Sequence, residues 1–142
     1  MSLEANHETV NRHTEEIWNE GRLDLISTLF SPDFSNFGSP CPFYLFRQIV
    51  QAWRTAFPDL HFTTDTQLAQ EDQVASLQTL SGTQLGPFVI PGLWTLSPTG
   101  KYFTVKQMHL FRLRDGMIIE HWGVRDDLRM LQQLGHLPGL EQ

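Results

Sequence analysis

The chain has 142 residues and a single cysteine, Cys41. One thiol can form no intramolecular disulfide, and cysteine-rich zinc sites are excluded. Cys41 sits in a Pro-rich turn with no base beside it in sequence, so it is read as an inert thiol, because reactivity needs an electropositive setting. No two of the six histidines form a His-x-x-x-His or His-x-His pair, so metal binding has no support. A Gly-rich dinucleotide fingerprint and a nucleophile-elbow motif are also missing. Positive charge is scarce, 10 Lys and Arg against 16 Asp and Glu, which argues against the basic stripe of a nucleic-acid binder. No apolar run approaches the ~20 residues of a membrane span. The polar start MSLEANHETVNRH lacks the apolar centre of a signal peptide. The expectation is a soluble, cytoplasmic protein with neither nucleic acid nor membrane as a partner.

What is present is the length and patterning of one domain over 1–142, large enough to bury a core without staples. Residues 4 to about 20 read as a helix, with Val10, Ile17 and Trp18 on one side. A second short helix follows from Leu23 to Phe30. Residues 31–42, with three prolines, read as a turn-rich connection in which Phe34 and Phe37 are buried plugs. Asn36 fits either a pocket hydrogen bond or a turn role, and the turn role is the commoner use of such an Asn. From Phe43 to Phe57 the spacing is helical again. Its aromatic face, including Trp53, suits the core first and ligand contact second. The period then changes to two: Leu60–Leu68 and Val74–Ser81 are strands, and another β segment is expected near Gly82. Residues 86–100 read as an apolar loop, a candidate flap over a pocket mouth.

The most informative stretch is Lys101–Gly135, which reads as a β-hairpin feeding a short helix. On its first strand Phe103, Val105, Gln107, His109, Phe111 and Leu113 share a face by the period-two rule. That face is apolar at both ends and polar in the middle, which suits a pocket wall. Asp115-Gly116 supplies the turn. On the return strand Ile119, His121, Gly123 and Arg125 share one face, and Ile118, Glu120, Trp122 and Val124 the other. Asp126 to Leu134 then reads as a helix whose acidic start suits its positive end. The tail His136–Gln142 is weakly patterned. Helices first, then strands with one closing helix, make an α+β fold: a sheet curved around an apolar interior, with the helices closing one side.

Several motifs together resemble a known family. They are the run from Ala52-Trp53-Arg54 to Pro58-Asp59 before a strand, Gly82-Thr83-Gln84 at mid-chain, and Pro98-Thr99-Gly100-Lys101 opening the long strand. The ending is Asp115-Gly116, Glu120-His121-Trp122 and Leu131-Gln132-Gln133-Leu134-Gly135. In this order they resemble the SnoaL-like polyketide cyclases of the nuclear-transport-factor-2-like superfamily. The resemblance implies a cone-shaped α+β barrel with a curved mixed sheet and N-terminal helices, a cavity inside the cone, and a homodimer. It also implies ring closure by an intramolecular aldol-type reaction on an apolar polyketide-like molecule, with no metal or organic cofactor. In the family a histidine on the long strand and an aspartate just after the His-Trp pair do the acid–base work. The histidine carries over onto His109, but the residue after Trp122 is Gly123.

Acid–base chemistry beside a carbonyl needs a base and a group that holds the developing enolate oxygen. His109 suits the first role and Gln107 the second; as a plain structural pair they would be satisfied polar groups among aromatics. Parity and family analogy turn His121 and Gly123 to the same cavity and Trp122 outward, which makes His121 the second catalytic candidate. Arg125, Trp53 and Phe111 complete the candidate substrate-binding set. Asp126 is expected to cap its helix and Asp59 to hold a turn. Two functions stay open: a cofactor-independent cyclase, isomerase or hydratase, or a binding or assembly module that lost its chemistry at Gly123. Family precedent favours the enzyme, and if Gly123 marks lost carboxylate chemistry, Gly123→Asp is expected to create or raise cyclase activity on an aromatic polyketide precursor.

Overall fold

The computed structural model describes residues 2–137, so the tail and the end of the expected 1–142 domain lie outside the described residues beyond Leu137. Helix α1 (Leu3–Arg12) starts at Ser2, whose hydroxyl accepts from the Ala5 amide at 3.0 Å. It continues without a break into a π-helical stretch, His13–Asn19. A 3₁₀ turn (Leu23–Leu25) and the one-turn α2 (Ile26–Leu29) follow, in place of a second helix reaching Phe30. Then come β1 (Phe30–Asn36), β2 (Ser39–Pro40), α3 (Phe43–Ala56), β3 (His61–Gln70) and β4 (Gln73–Thr83). The chain ends with β5 (Phe88–Ile90), β6 (Trp94–Leu96), β7 (Tyr102–Arg114), β8 (Met117–Arg125) and α4 (Asp127–Leu134).

Six strands form one mixed sheet in the order β2-β1-β8-β7-β4-β3, with β1 parallel to β8 and the other pairs antiparallel. The fold is the expected α+β class: a curved, open sheet with N-terminal helices against it, as in a cone. The β7–β8 turn is made by Asp115 and Gly116 with φ of 53° and 75°, the pair of positive values that a two-residue hairpin loop requires. Helix α3 buries Phe46, Val50, Trp53 and Ala56, one stripe at helical spacing. Buried apolar residues gather in two clusters, one around Phe30, Phe34 and Phe111, the other around Phe57, Phe88 and Phe103. Trp18 and Ile49 touch both. No helix among the described residues is long and apolar enough to cross a membrane.

Four sequence expectations need correcting. The stretch 31–42 is not a plain connection, because Phe30–Asn36 runs as a strand beside β8. Pro32, which lacks an amide donor, falls where that pairing is interrupted, between Phe30 and Ser35, and so breaks no ladder bond. Phe37 is no buried plug: with Gly38 it forms the β1–β2 turn at φ 53° and 82°, and it stands 49% exposed. No new strand begins at Gly82, since β4 runs on to Thr83. The 86–100 segment holds a small hairpin, β5–β6, anchored by a fully buried Phe88 against Trp53 at 4.7 Å, and none of its residues lines the cavity described below.

The face assignment on β8 is also broken in one place. Arg112 pairs with Glu120 but Leu113 with Ile118, so Ile119 is an extra residue in a bulge. Beyond the bulge the alternation flips, and Ile118, expected on the outer face, is buried in the core.

Candidate functional site

The cavity lies between the two apolar clusters, under α3 and the π-helical stretch, with β7 and β8 as its polar wall. Its volume is about 80 Å³, within about 690 Å³ of atom-free space that includes open solvent. Trp53 on α3 and Phe111 on β7 form part of its aromatic lining. Gln107, His109, His121, Gly123 and Arg125 all line it too. Register explains the grouping: Gln107 faces Arg125, His109 faces Gly123 and Phe111 faces His121 across the hairpin.

The two histidines form a connected pair. His109 Nδ1 lies 2.8 Å from His121 Nε2, and the rings stack at 5.1 Å and 24°. The outer nitrogens reach two side-chain amides: His109 Nε2 is 2.9 Å from Gln107 Oε1, and His121 Nδ1 is 2.7 Å from Asn36 Oδ1. Asn36 therefore belongs to the site and not only to a turn. It arrives from β1, whose Asn36 pairs with His121 in the parallel register. Sequence reasoning placed it otherwise because 31–42 did not read as a strand.

Gly123 is what lets these rings meet. A Cβ there would sit 2.9 Å from His109 Nδ1, 3.2 Å from its Cε1 and 3.4 Å from His121 Cε1. The missing side chain is thus filled space, occupied by the imidazole of the facing strand. Where the resemblance implied an aspartate, this chain has glycine, and the His109 ring lies in that space against His121.

Burial sets the charge state of the pair. Desolvation, with a smaller push from the Arg125 charge, lowers the His109 pKa to about 4. His121 is held well below the usual range, again by burial first and then by the repulsion its charge would meet from His109 and His13 when they are protonated and from Arg125. Both rings are neutral at pH 7.

A third histidine, His13, was not among the sequence candidates. It lines the cavity, packs edge-on to Phe30 and Phe111, and accepts the Trp18 indole N–H at Nε2, 3.1 Å away. Burial first, and then the repulsion a charged His13 would meet from a protonated His109, lower its pKa to about 3. Because indole only donates, His13 carries its proton on Nδ1, which has no hydrogen-bond partner. Its Nε2 is blocked, so it serves as a neutral wall and a brace for Trp18. The π-helical winding places Trp18, five residues on, over His13; a 3.6-residue period hides that relation.

Arg125 lies over Trp53 at 5.2 Å and is held by Asp127 through bonds of 3.1 and 3.2 Å. No carboxylate lines the cavity among the described residues. Asp126 caps α4, accepting from the Arg129 amide at 3.1 Å, and Asp59 holds Thr83 by its amide and hydroxyl, at 2.7 and 2.8 Å. Trp122 points outward, 45% exposed. Cys41 is buried, which pushes its thiol pKa up and keeps it protonated.

A family model for the SnoaL-like polyketide cyclases matches residues 8–134. No curated protein matches the chain. Among solved structures, TsrD from Streptomyces laurentii superposes with a TM-score of 0.84 at 24% identity, covering 96% of this chain and 99% of its own, and shows the fold alone. AclR from Streptomyces galilaeus, named as a candidate hydroxylase, is 27% identical with a TM-score of 0.78, over 96% of this chain and 100% of its own. IdmH from Streptomyces antibioticus, named as a candidate polyketide cyclase, is 27% identical with a TM-score of 0.76, over 92% and 98%.

Proposed function

This chain belongs to the SnoaL-like polyketide cyclase family, and from that membership we propose that it is a cofactor-independent acid–base enzyme acting on an apolar, oxygenated, polyketide-like small molecule. The observation that carries the reading is the neutral His109–His121 pair inside an aromatic cavity. His109 accepts a proton from a carbon next to a carbonyl, leaving an enolate. Aldol-type cyclisation, isomerisation and hydration all share that intermediate. The Gln107 amide occupies His109 Nε2 at rest, so it must turn to admit substrate, and once turned its N–H groups can donate to the enolate oxygen. Gly123 and Arg125 border the reacting carbon, Arg125 presenting its charge towards a substrate oxygen.

Size narrows the substrate. One ring-sized portion of the ligand fits inside, and a longer polyketide extends past the half-exposed Phe37 at the mouth. The chain acts in the cytoplasm as a homodimer. The dimer is built on the outer sheet face, where Met108, Leu110, Trp122 and Val124 are exposed together on β7 and β8.

The test is deuterium exchange at the activated carbon of an aromatic β-diketone, followed by NMR with the purified protein. Exchange above the buffer rate is expected, falling by about a hundredfold or more in His109→Gln, the usual range for loss of a general base. Ligand binding without any exchange, in wild type and His109→Gln alike, would make the protein a binding module and overturn the enzymatic reading.

A further inference from the structure

The chain of groups Asn36, His121, His109 and Gln107 restricts where protons can sit. Each of the four ring nitrogens faces one partner. The 2.8 Å contact between the rings must hold one proton, since two bare lone pairs repel at that distance and two N–H groups collide. With both rings neutral, one further proton remains for the two outer nitrogens. If it is on His121 Nδ1, the inter-ring proton belongs to His109 Nδ1, and His109 Nε2 is bare. If it is on His109 Nε2, the order is reversed and His121 Nδ1 is bare. Each order demands a matching amide: an oxygen for the protonated end, an NH₂ for the bare end.

Asn36 places its oxygen 2.7 Å from His121 Nδ1, and Gln107 places its own 2.9 Å from His109 Nε2. A neutral pair can protonate only one of these ends, so one amide must present its NH₂ instead; the shorter contact, at Asn36, marks the oxygen that stays, and Gln107 is the amide that turns. We propose that Asn36 is a positioning residue that acts on His109 through His121, drawing the His121 proton to Nδ1 and thereby leaving the His109 Nε2 lone pair for the substrate. This rests on the reading of His109 as the proton acceptor. As the substrate C–H bond breaks, its electron pair stays on the substrate as the enolate and the proton bonds to His109 Nε2. The inter-ring proton then passes from His109 Nδ1 to His121 Nε2. His109 ends neutral, and the positive charge rests on His121, whose Nδ1 proton is still held by Asn36. Two rings work as one base, and the far ring carries the charge.

The charged and titratable groups facing the pair are few. His13 faces it from the π-helical stretch and is neutral. Arg125 on β8 opposes protonation of both rings and is itself paired with Asp127 of α4. From β4 the cavity receives the neutral Gln78, from α3 Trp53, and from β1 Asn36 itself.

The experiment is nitrogen-15 NMR of histidine side chains in the full-length protein without ligand, where protonated and bare ring nitrogens have distinct shifts. In wild type, His109 is expected to be protonated at Nδ1 and bare at Nε2. Asn36→Leu removes the acceptor and is expected to reverse both rings. Asn36→Asp is expected to keep the wild-type tautomers and to raise the protonation midpoint of the pair by about one to three pH units, as a nearby carboxylate does. The same His109 tautomer in wild type and Asn36→Leu, or no rise in Asn36→Asp, would overturn the proposal. If Asn36→Leu loses its near-ultraviolet circular dichroism, the midpoint in Asn36→Asp decides alone. Tautomers are read without turnover, so this outcome is separate from the exchange result for His109→Gln.

Discussion

Substitution of Gly123 separates a pocket that tolerates a side chain from one built on its absence. In Gly123→Ala the new Cβ would lie 2.9 Å from His109 Nδ1, closer than real Cβ contacts come, so the His109 ring must move. That ring has little room: it stacks on Phe111 at 6.2 Å and on His121 at 5.1 Å, and it is bonded at both nitrogens. Overpacking of a filled core costs about 1–3 kcal/mol, and a strained or lost buried hydrogen bond adds about 1 kcal/mol. Part of this is relieved by movement into the cavity, so about 2 kcal/mol is expected. For a domain of this size that lowers Tm by about 6–8 °C. A shift of the proton acceptor by less than 1 Å is expected to slow exchange by about a hundredfold, the known sensitivity of reactions to misplacement. Gly123→Asp adds a buried carboxylate to the same collision, so the gain of cyclase activity expected from sequence alone should not appear. Differential scanning calorimetry and the exchange assay check both variants. A Gly123→Ala protein within about 1 °C of wild type, with undiminished exchange, would show that the space is not needed.

Two further outcomes follow from the same geometry. His13, His109 and His121 all have folded pKa values below the usual 6.5, so the unfolded chain binds more protons below that pH. Stability is complete above pH 6.5 and falls as pH drops toward 4, by about 1.4 kcal/mol per pH unit for each histidine that differs fully between the two states. Calorimetry in buffers of different ionisation enthalpy should show uptake of two to three protons on unfolding near pH 5, and His13→Phe should remove about one of them; a pH-independent Tm over this range would refute the assignment of neutral buried rings. To test the proposed dimer, Val124, 75% exposed on the outer face, is replaced by Lys. Light scattering at micromolar concentration should give a dimer for wild type and a monomer for Val124→Lys, with Tm of the monomer not raised; a monomeric wild type would sink this surface as an interface.

The sequence made the fold class legible because its elements are regular. The stripe on α3 keeps helical spacing, and β7 alternates over thirteen residues, so both could be read from pattern alone. The polar wall on β7 and β8 was legible for the same reason, since Gln107, His109, His121, Gly123 and Arg125 follow from strand parity. What escaped was whatever departs from a regular period. Asn36 lies on a strand interrupted around a proline, His13 on a π-helical segment, and Ile118 beyond a bulge. Each departure moves a side chain to a face that simple alternation or a 3.6-residue turn would deny it. Signals existed for one of them: Phe37-Gly38, flanked by residues able to pair, could have marked the β1–β2 turn and with it the direction of Asn36.

The absence of a carboxylate among the residues lining the cavity bears on the kind of carbon acid the site can serve. A buried carboxylate beside His109 would favour its protonated form and strengthen it as a base. Here the polar wall is made of neutral rings and amides, and the nearby guanidinium of Arg125 disfavours a positive ring. A base whose conjugate acid has a pKa near 4 is weak, and by the Brønsted relation a weak base needs an acidic partner to react at a useful rate. A carbon between two carbonyls meets that need far better than one beside a single ketone. Its enolate spreads charge over two oxygens, for which the Gln107 amide and the Arg125 guanidinium are the available donors. The aromatic walls meanwhile suit the rest of an apolar, partly cyclised chain. Glycine where the family resemblance implies a carboxylate thus exchanges base strength for a site that is uncharged at the reacting atoms, and on the proposed reading this restricts the chemistry to substrates that arrive already activated.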